Sequence, residues 1–252
     1  MAHTCRVVGE RPDFSRATTP RSFRHALTIA RAIRARYNPS WVVPRYPVGY
    51  EPATTDQVRP IMSGNGSAEW YVSVDVEAAG PAPSLYSLLS IGACLVEKPE
   101  EHFYIELQPL GIATIPEAAA VHQLSLEYLA VEGVPPKEAM TRFAEWLSSV
   151  APDGKRPVFV AFNAAFDWMF VNDYFHRFLG YNPFGHTALD VKAFYMGMSG
   201  KPWSETSLCQ LSPRYLGGRL LTHYAIEDAL VQAELFRQLL AEAQAHGAIE
   251  RA

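Results

Sequence analysis

Apolar residues in this chain repeat with two periods, and the places where one gives way to the other lay out the secondary structure. Trp70 to Val76 is rich in β-branched and aromatic residues and predicts a strand. Tyr86 to Val96 predicts a second strand and His102 to Leu107 a third, joined by the turn Lys98-Pro99-Glu100. Short helical pieces are expected from Pro116 to Leu129. Pro135-Pro136 then opens a helix to about Val150, with proline in the first turn, where its missing N–H does no harm. The apolar positions Ala139, Met140, Phe143, Trp146, Leu147 and Val150 recur there at three and four. Val158 to Phe162 is a short unbroken apolar run, as expected of a strand buried on both faces. A helix from about Phe166 to Leu179 and a short strand from His186 to Leu189 follow. The last element, Thr222 to about Ala243, carries an inner stripe of Ile226, Ala229, Leu230, Ala233, Phe236 and Leu240. Strands, then helix, buried strand, helix, strand, helix predict an α/β fold: a central mixed sheet with helices on both faces.

The first 66 residues follow neither period. Seven prolines interrupt them, and large apolar residues are thin except from Phe23 to Tyr37, where Leu27, Ile29, Ala30 and Ile33 would line one side of a short basic helix. Ser63 to Ser67 reads as a flexible joint. The expected organisation is an irregular Arg/Pro-rich extension over 1–68, one domain over 69–243 and a tail over 244–252. Three readings of the extension stay open: a nucleic-acid or partner-binding arm, a transit-like segment, or a disordered tail, including an over-long start ahead of Met62.

Charge sharpens this division. The whole chain of 252 residues has a formal net charge of −4. Residues 1–66 hold ten Arg, no Lys and four acids, a net of +6, so the remainder carries −10. An acidic body argues against a long phosphate-tracking footprint, though not against a small pocket for a chain end. Cys5, Cys94 and Cys209 lie far apart without a paired motif, which supports neither a disulfide framework nor a structural zinc site. No apolar run is long enough for a membrane span and no signal-peptide core is visible, so a cytoplasmic protein without a membrane partner is expected.

Three short motifs carry chemistry. In Val74-Asp75-Val76-Glu77, strand geometry puts both carboxylates on one face and both valines on the other. Such a pair repels itself unless a cation intervenes, and hard divalent ions favour oxygen ligands. The residues Ala78-Ala79-Gly80-Pro81 are expected to end the strand and leave backbone amides free beside the acids. Phe162-Asn163-Ala164-Ala165-Phe166-Asp167 falls where the buried strand ends and a helix begins, the usual place for ligands in an α/β sheet. In His223-Tyr224-Ala225-Ile226-Glu227-Asp228, five helical residues would turn the two groups about 140° apart. They converge only if His223 sits on the loop before the helix and Asp228 one turn inside. Each motif alone is weak; an Asp-x-Glu arises by chance about once in a chain this long. Together they offer four carboxylates and a histidine, the side chain that titrates near neutrality, which is the set two-metal phosphoryl chemistry requires.

The order Asp-x-Glu, Asn-x-x-Phe-Asp, His-x4-Asp resembles the DEDDh 3′–5′ exonucleases, which include the proofreading subunit of bacterial DNA polymerase III, ribonuclease T and oligoribonuclease. The resemblance covers about 69–243 and implies a ribonuclease H-like fold. It also implies a metal-dependent exonuclease acting on the 3′ end of single-stranded RNA or DNA. By resemblance Asp75 bridges two Mg²⁺ or Mn²⁺ ions, Glu77 and Asp228 complete one site, Asp167 supports the other, and His223 is the general base. Backbone amides near Val76 and Ala78 and the side chain of His122 would hold the terminal nucleotide. Phe162, Asn163 and Phe166 would face the substrate, with core packing an equal reading for both phenylalanines. Lys192, Lys201, Arg214 and Arg219 are candidates for phosphate contacts. Gln123, Ala78-Ala79 and Phe162 depart from the commoner family residues and leave the choice between RNA and DNA open, as homodimerisation is. A phosphodiesterase of small nucleotides and a non-catalytic nucleic-acid-binding module on the same fold are the alternative functions.

Overall fold

The computed structural model describes residues 69–122, 124–152 and 155–247. The extension over 1–68, with its three readings, lies outside the described residues, as does Gln123. Five strands form one sheet in the order β3-β2-β1-β4-β5. In chain order these are β1 (Trp70–Ala78), β2 (Leu88–Leu95), β3 (His102–Glu106), β4 (Pro157–Ala161) and β5 (Ala188–Asp190). β2 runs antiparallel to β1 and to β3, whereas β4 runs parallel to β1 and to β5. The mixed sheet expected from the sequence is therefore present.

The helices are α1 (Pro116–His122), α2 (Leu126–Glu132), α3 (Pro136–Val150), α4 (Ala165–Leu179), α5 (Val191–Ser199), α6 (Leu208–Tyr215) and α7 (Ala225–Ala245), with a short 3₁₀ turn at Trp203–Glu205. They cover both faces. Val72, Val74 and Val76 of β1 point into a core closed by Met140 and Phe143 of α3 and Phe170 and Tyr174 of α4. The opposite core joins Cys94 and Val160 of the sheet to Leu211 of α6 and Leu235, Phe236 and Leu239 of α7. The 3.6-residue period marks the helix faces that meet these cores, whereas β1 and β2 are buried on both faces.

The structure differs from the pattern reading in three places. β1 continues past Val76 to Ala78, because Asp75 and Glu77 stay in the ladder opposite Gly92 and Ser90. The amide of Ala79, expected to be free, donates to the Ser87 carbonyl at 2.9 Å. α5 and α6 had no counterpart in the prediction; α6 carries Pro213 inside it, which argues against a helix locally. Finally, α7 begins at Ala225, runs into the expected tail, and is rotated from its predicted stripe. Ile226, Leu230 and Leu240 are only half-buried, while Asp228 and Gln232 are each 1% exposed.

That rotation has a steric cause. Ala225, Ala229 and Ala233 recur every four residues and are fully or almost fully buried. Ala225 and Ala229 meet Ser73, Gly92 and Cys94, all small, on the sheet. Ser73 Oγ donates to the Ala229 carbonyl at 2.8 Å, and the Cys94 thiol reaches the same oxygen at 3.5 Å. A Cβ on Gly92 would stand 2.2 Å from the Ala225 carbonyl carbon, so only glycine lets the first turn of α7 approach this closely. Small residues on both surfaces draw the helix backbone onto the sheet and carry its polar neighbours inward.

Candidate active site

The three motifs meet at the carboxyl ends of the parallel strands β1 and β4. Asp75 and Glu77 project from β1 toward α7, 9% and 8% exposed. After β4 the chain turns sharply through Phe162, Asn163 and Ala164. The turn needs a left-handed residue, and Asn163 supplies it with φ of 68°. Asparagine tolerates that region better than most side chains. The turn delivers Asp167 into the first turn of α4, 4% exposed, where Oδ1 accepts the Val76 amide at 3.0 Å. The Val76 amide, expected to hold a nucleotide, is thus committed to a carboxylate that it orients.

The third motif is arranged as its spacing required. His223 precedes α7 on an exposed loop, with φ of 61°, and Asp228 lies one turn inside the helix. Strain of this kind persists where neighbouring contacts enforce it. Here Asp228 accepts the Thr222 amide at 2.7 Å on Oδ1 and the His223 amide at 2.9 Å on Oδ2. The Tyr224 ring packs against Tyr104 of β3, with centroids 4.9 Å apart. Glu77, His223 and Asp228 each place a ligand atom within 4.8 Å of the others.

Two further residues were not legible as site residues in the sequence. Gln232 donates to Asp75 Oδ1 at 2.6 Å and accepts the Phe162 amide at 2.8 Å, so one buried side chain joins the first motif to the second. Its signal was the i+4 spacing from Asp228, which places both on one helix face. Gly92 was visible only as part of a strand; its role follows from the approach of α7.

The electrostatics are those of crowded, dehydrated acids. Burial raises the Asp75 carboxyl well above the ordinary range, and Asp167, Asp228 and Glu77 push it further, against the Gln232 hydrogen bond. Glu77 is pushed up to about 8, by burial first and then by Asp228 and Asp167. Asp167 also rises to about 8 through burial, opposed by the Val76 amide. Burial raises Asp228 too, against the Thr222 and His223 amides. Buried acids that raise one another in this way form an oxygen-rich group suited to a divalent cation.

These residues line a cavity of about 380 Å³ with Ala78, Phe162, Asn163, Phe166 and Leu221. Phe166 also packs on Phe170 at 5.4 Å, and Phe162 borders the α7-side core, so each phenylalanine both lines the cavity and packs against apolar neighbours. His122 closes α1; its side chain lies outside the described residues. Of the four cations named from the sequence, Lys201, Arg214 and Arg219 pair with Glu205, Glu242 and Glu234. Lys192 instead faces the rings of Trp203 and Phe162. Among the described residues, no helix is long and apolar enough to cross a membrane.

Comparison with known proteins agrees with this geometry. A 3′–5′ DNA exonuclease of Escherichia coli, Cap18, is 47% identical over 169 residues, which is 67% of this chain and 90% of that protein. The nuclease domain of 3′hExo, a DEDDh family member solved bound to rAMP, superposes with a TM-score of 0.58 at 14% identity. The match covers 71% of this chain and 95% of that one. Escherichia coli Exonuclease I, solved with an oligonucleotide, gives a TM-score of 0.54 at 14% identity, over 71% of this chain and 43% of that one. No family model matches the chain. The likeness to the solved structures gives the fold, a ribonuclease H-like mixed sheet flanked by helices.

Proposed function

We propose, from the premise that this chain belongs to the DEDDh family of 3′–5′ exonucleases, that it removes nucleotides from the 3′ end of single-stranded DNA. It is a hydrolase of phosphodiester bonds; the choice of DNA follows the activity in the name of its 47% identical relative. The observation that carries the mechanism is the convergence of four buried carboxylates and His223 on one cavity.

The donor set fits divalent metal. Asp75, Glu77, Asp167 and Asp228 would hold two ions, Mg²⁺ or Mn²⁺, since crowded carboxylates are relieved of mutual repulsion by such charge. Bound there, the ions supply water activation and neutralise charge developing on the phosphate. The chain's own groups do the rest. Gln232 and the Val76 amide fix the orientation of Asp75 and Asp167. His223, exposed at the mouth and beside Glu77 and Asp228, takes the proton of the attacking water. Ala78, Phe162, Asn163 and Phe166 wall the space for the terminal nucleotide, with His122 as the remaining nucleotide contact expected by resemblance.

The test is incubation of 5′-labelled single-stranded DNA and RNA with Mg²⁺ or Mn²⁺. Stepwise shortening from the 3′ end, faster on DNA, is expected. Asp75→Ala should abolish it, and His223→Ala should slow it about 10²- to 10⁴-fold. Wild-type rates in both variants would sink the assignment. Turnover of a dinucleotide with no shortening of either polymer would favour a small-nucleotide phosphodiesterase.

A further inference from the structure

Lys192 occupies an unusual position for a surface cation. Its ammonium lies 4.3 Å from the centroid of the Trp203 ring and 5.8 Å from that of Phe162. Among the described residues it forms no ion pair, although Lys201 nearby is neutralised by Glu205 at 3.2 Å. Phe162 lines the active-site cavity, whereas Trp203 is 50% exposed, so the three side chains lead from the cavity wall to open solvent. The two ring centres are at most about 10 Å apart, a span that about two or three stacked nucleotides cover at about 3.4 Å each.

The backbone is anchored at both ends of the group. Trp203 stands on the short 3₁₀ turn, where buried Thr206 donates to its carbonyl through both Oγ1 at 2.8 Å and the amide at 3.2 Å. Lys192 is the second residue of α5. Asp190 caps that helix by accepting the Ala193 amide at 2.8 Å, and its other oxygen accepts the Ala164 amide at 2.6 Å. One carboxylate therefore fixes the helix bearing Lys192 to the same turn that presents Phe162, Asn163 and Asp167. These bonds set the backbone that presents the half-exposed indole, so its place on the chain is fixed before a strand arrives.

We propose that Trp203 and Lys192 form a binding station for the single strand upstream of the scissile bond. A base stacks on the Trp203 indole, and the Lys192 ammonium faces the adjoining phosphodiester. This rests on the reading of the chain as an exonuclease of single-stranded DNA. Aromatic stacking accepts every base and one cation suffices for one phosphate, so the station holds a strand without selecting sequence. It also supplies local positive charge to a domain whose net charge is strongly negative.

The test uses the full chain carrying Asp75→Asn, which binds without turnover, and reads fluorescence anisotropy of a labelled twelve-nucleotide oligothymidylate in Mg²⁺. Adding Trp203→Ala should weaken binding about 5- to 150-fold, and Trp203→Phe should recover most of it. Lys192→Gln should reduce the slope of log affinity against log salt by about 0.7. In the active enzyme, Trp203→Ala should raise KM for the oligonucleotide much more than for a dinucleotide, which is too short to reach the ring. Unchanged affinity in Trp203→Ala, or equal losses on both substrates, overturns the station, as does absence of binding by the parent. Intact binding with no 3′ shortening by wild type overturns the catalytic reading alone.

Discussion

Replacing Gly92 with alanine adds one methyl group remote from any reacting atom, yet it should disable the site. The new Cβ would lie 2.2 Å from the Ala225 carbonyl carbon and 2.3 Å from its oxygen and the Ile226 nitrogen. Ordinary contact starts at 3.4 Å, so the first turn of α7 must withdraw by about 1.2 Å. Backbone faces backbone there, and no flexible side chain can yield in its place. A withdrawal of that size would stretch the 2.6 Å Gln232–Asp75 bond to about 3.8 Å, beyond hydrogen-bond range. It would also carry Asp228, and His223 on the loop before it, away from Glu77. A displacement of about 1 Å costs about 10²-fold in rate, and overpacking costs about 1–3 kcal/mol. Gly92→Ala should therefore lower kcat on 5′-labelled single-stranded DNA about 10²-fold and lower Tm by about 2–12 °C. Gly197→Ala is the control, because a Cβ at Gly197 meets nothing within 4 Å. A folded Gly92→Ala enzyme with kcat within about two-fold of wild type, measured well below its Tm, would show that the close approach of α7 does not set the site.

Two further outcomes follow from the same geometry. Gln232→Leu removes the donor to Asp75 and the acceptor for the Phe162 amide; Mg²⁺ affinity or activity should fall about 10- to 100-fold, and a metal titration with unchanged midpoint and rate would exclude the role. In the metal-free protein, Glu77 and Asp167 titrate near 8, while unfolded carboxyls titrate near 4. The native state thus retains protons that the unfolded state has released, so stability should fall as pH rises from about 4 to 8. The Tm in EDTA should decline between pH 5.5 and 8, and Mg²⁺ should restore it most at the alkaline end; a flat profile in EDTA would contradict the burial of these acids.

The features legible along the chain are local ones. Hydrophobic patterning placed β1 to β5, α3, α4 and α7 to within a few residues, because helices show one stripe to a core and the buried strands are runs of apolar, β-branched residues. The five candidate groups were legible because three motifs, each weak alone, stand in one chain in the order that resembles the DEDDh exonucleases. The 500° turn between His223 and Asp228 even required the loop position at which His223 is found. The pattern could not show how closely α7 approaches the sheet. That distance is set by Ala225 and Ala229 against Ser73, Gly92 and Cys94, residues far apart in sequence and too small to stand out in a hydrophobic pattern. The same approach buries Asp228 and Gln232, which a periodicity argument assigns to the wet face. The partner of the Val76 amide, the Asp190 clamp between α5 and the Asn163 turn, and the pairing of Lys192 with Trp203 are also non-local. Each of them exists only after backbone segments from separate parts of the chain have been brought within hydrogen-bonding or ring-contact distance.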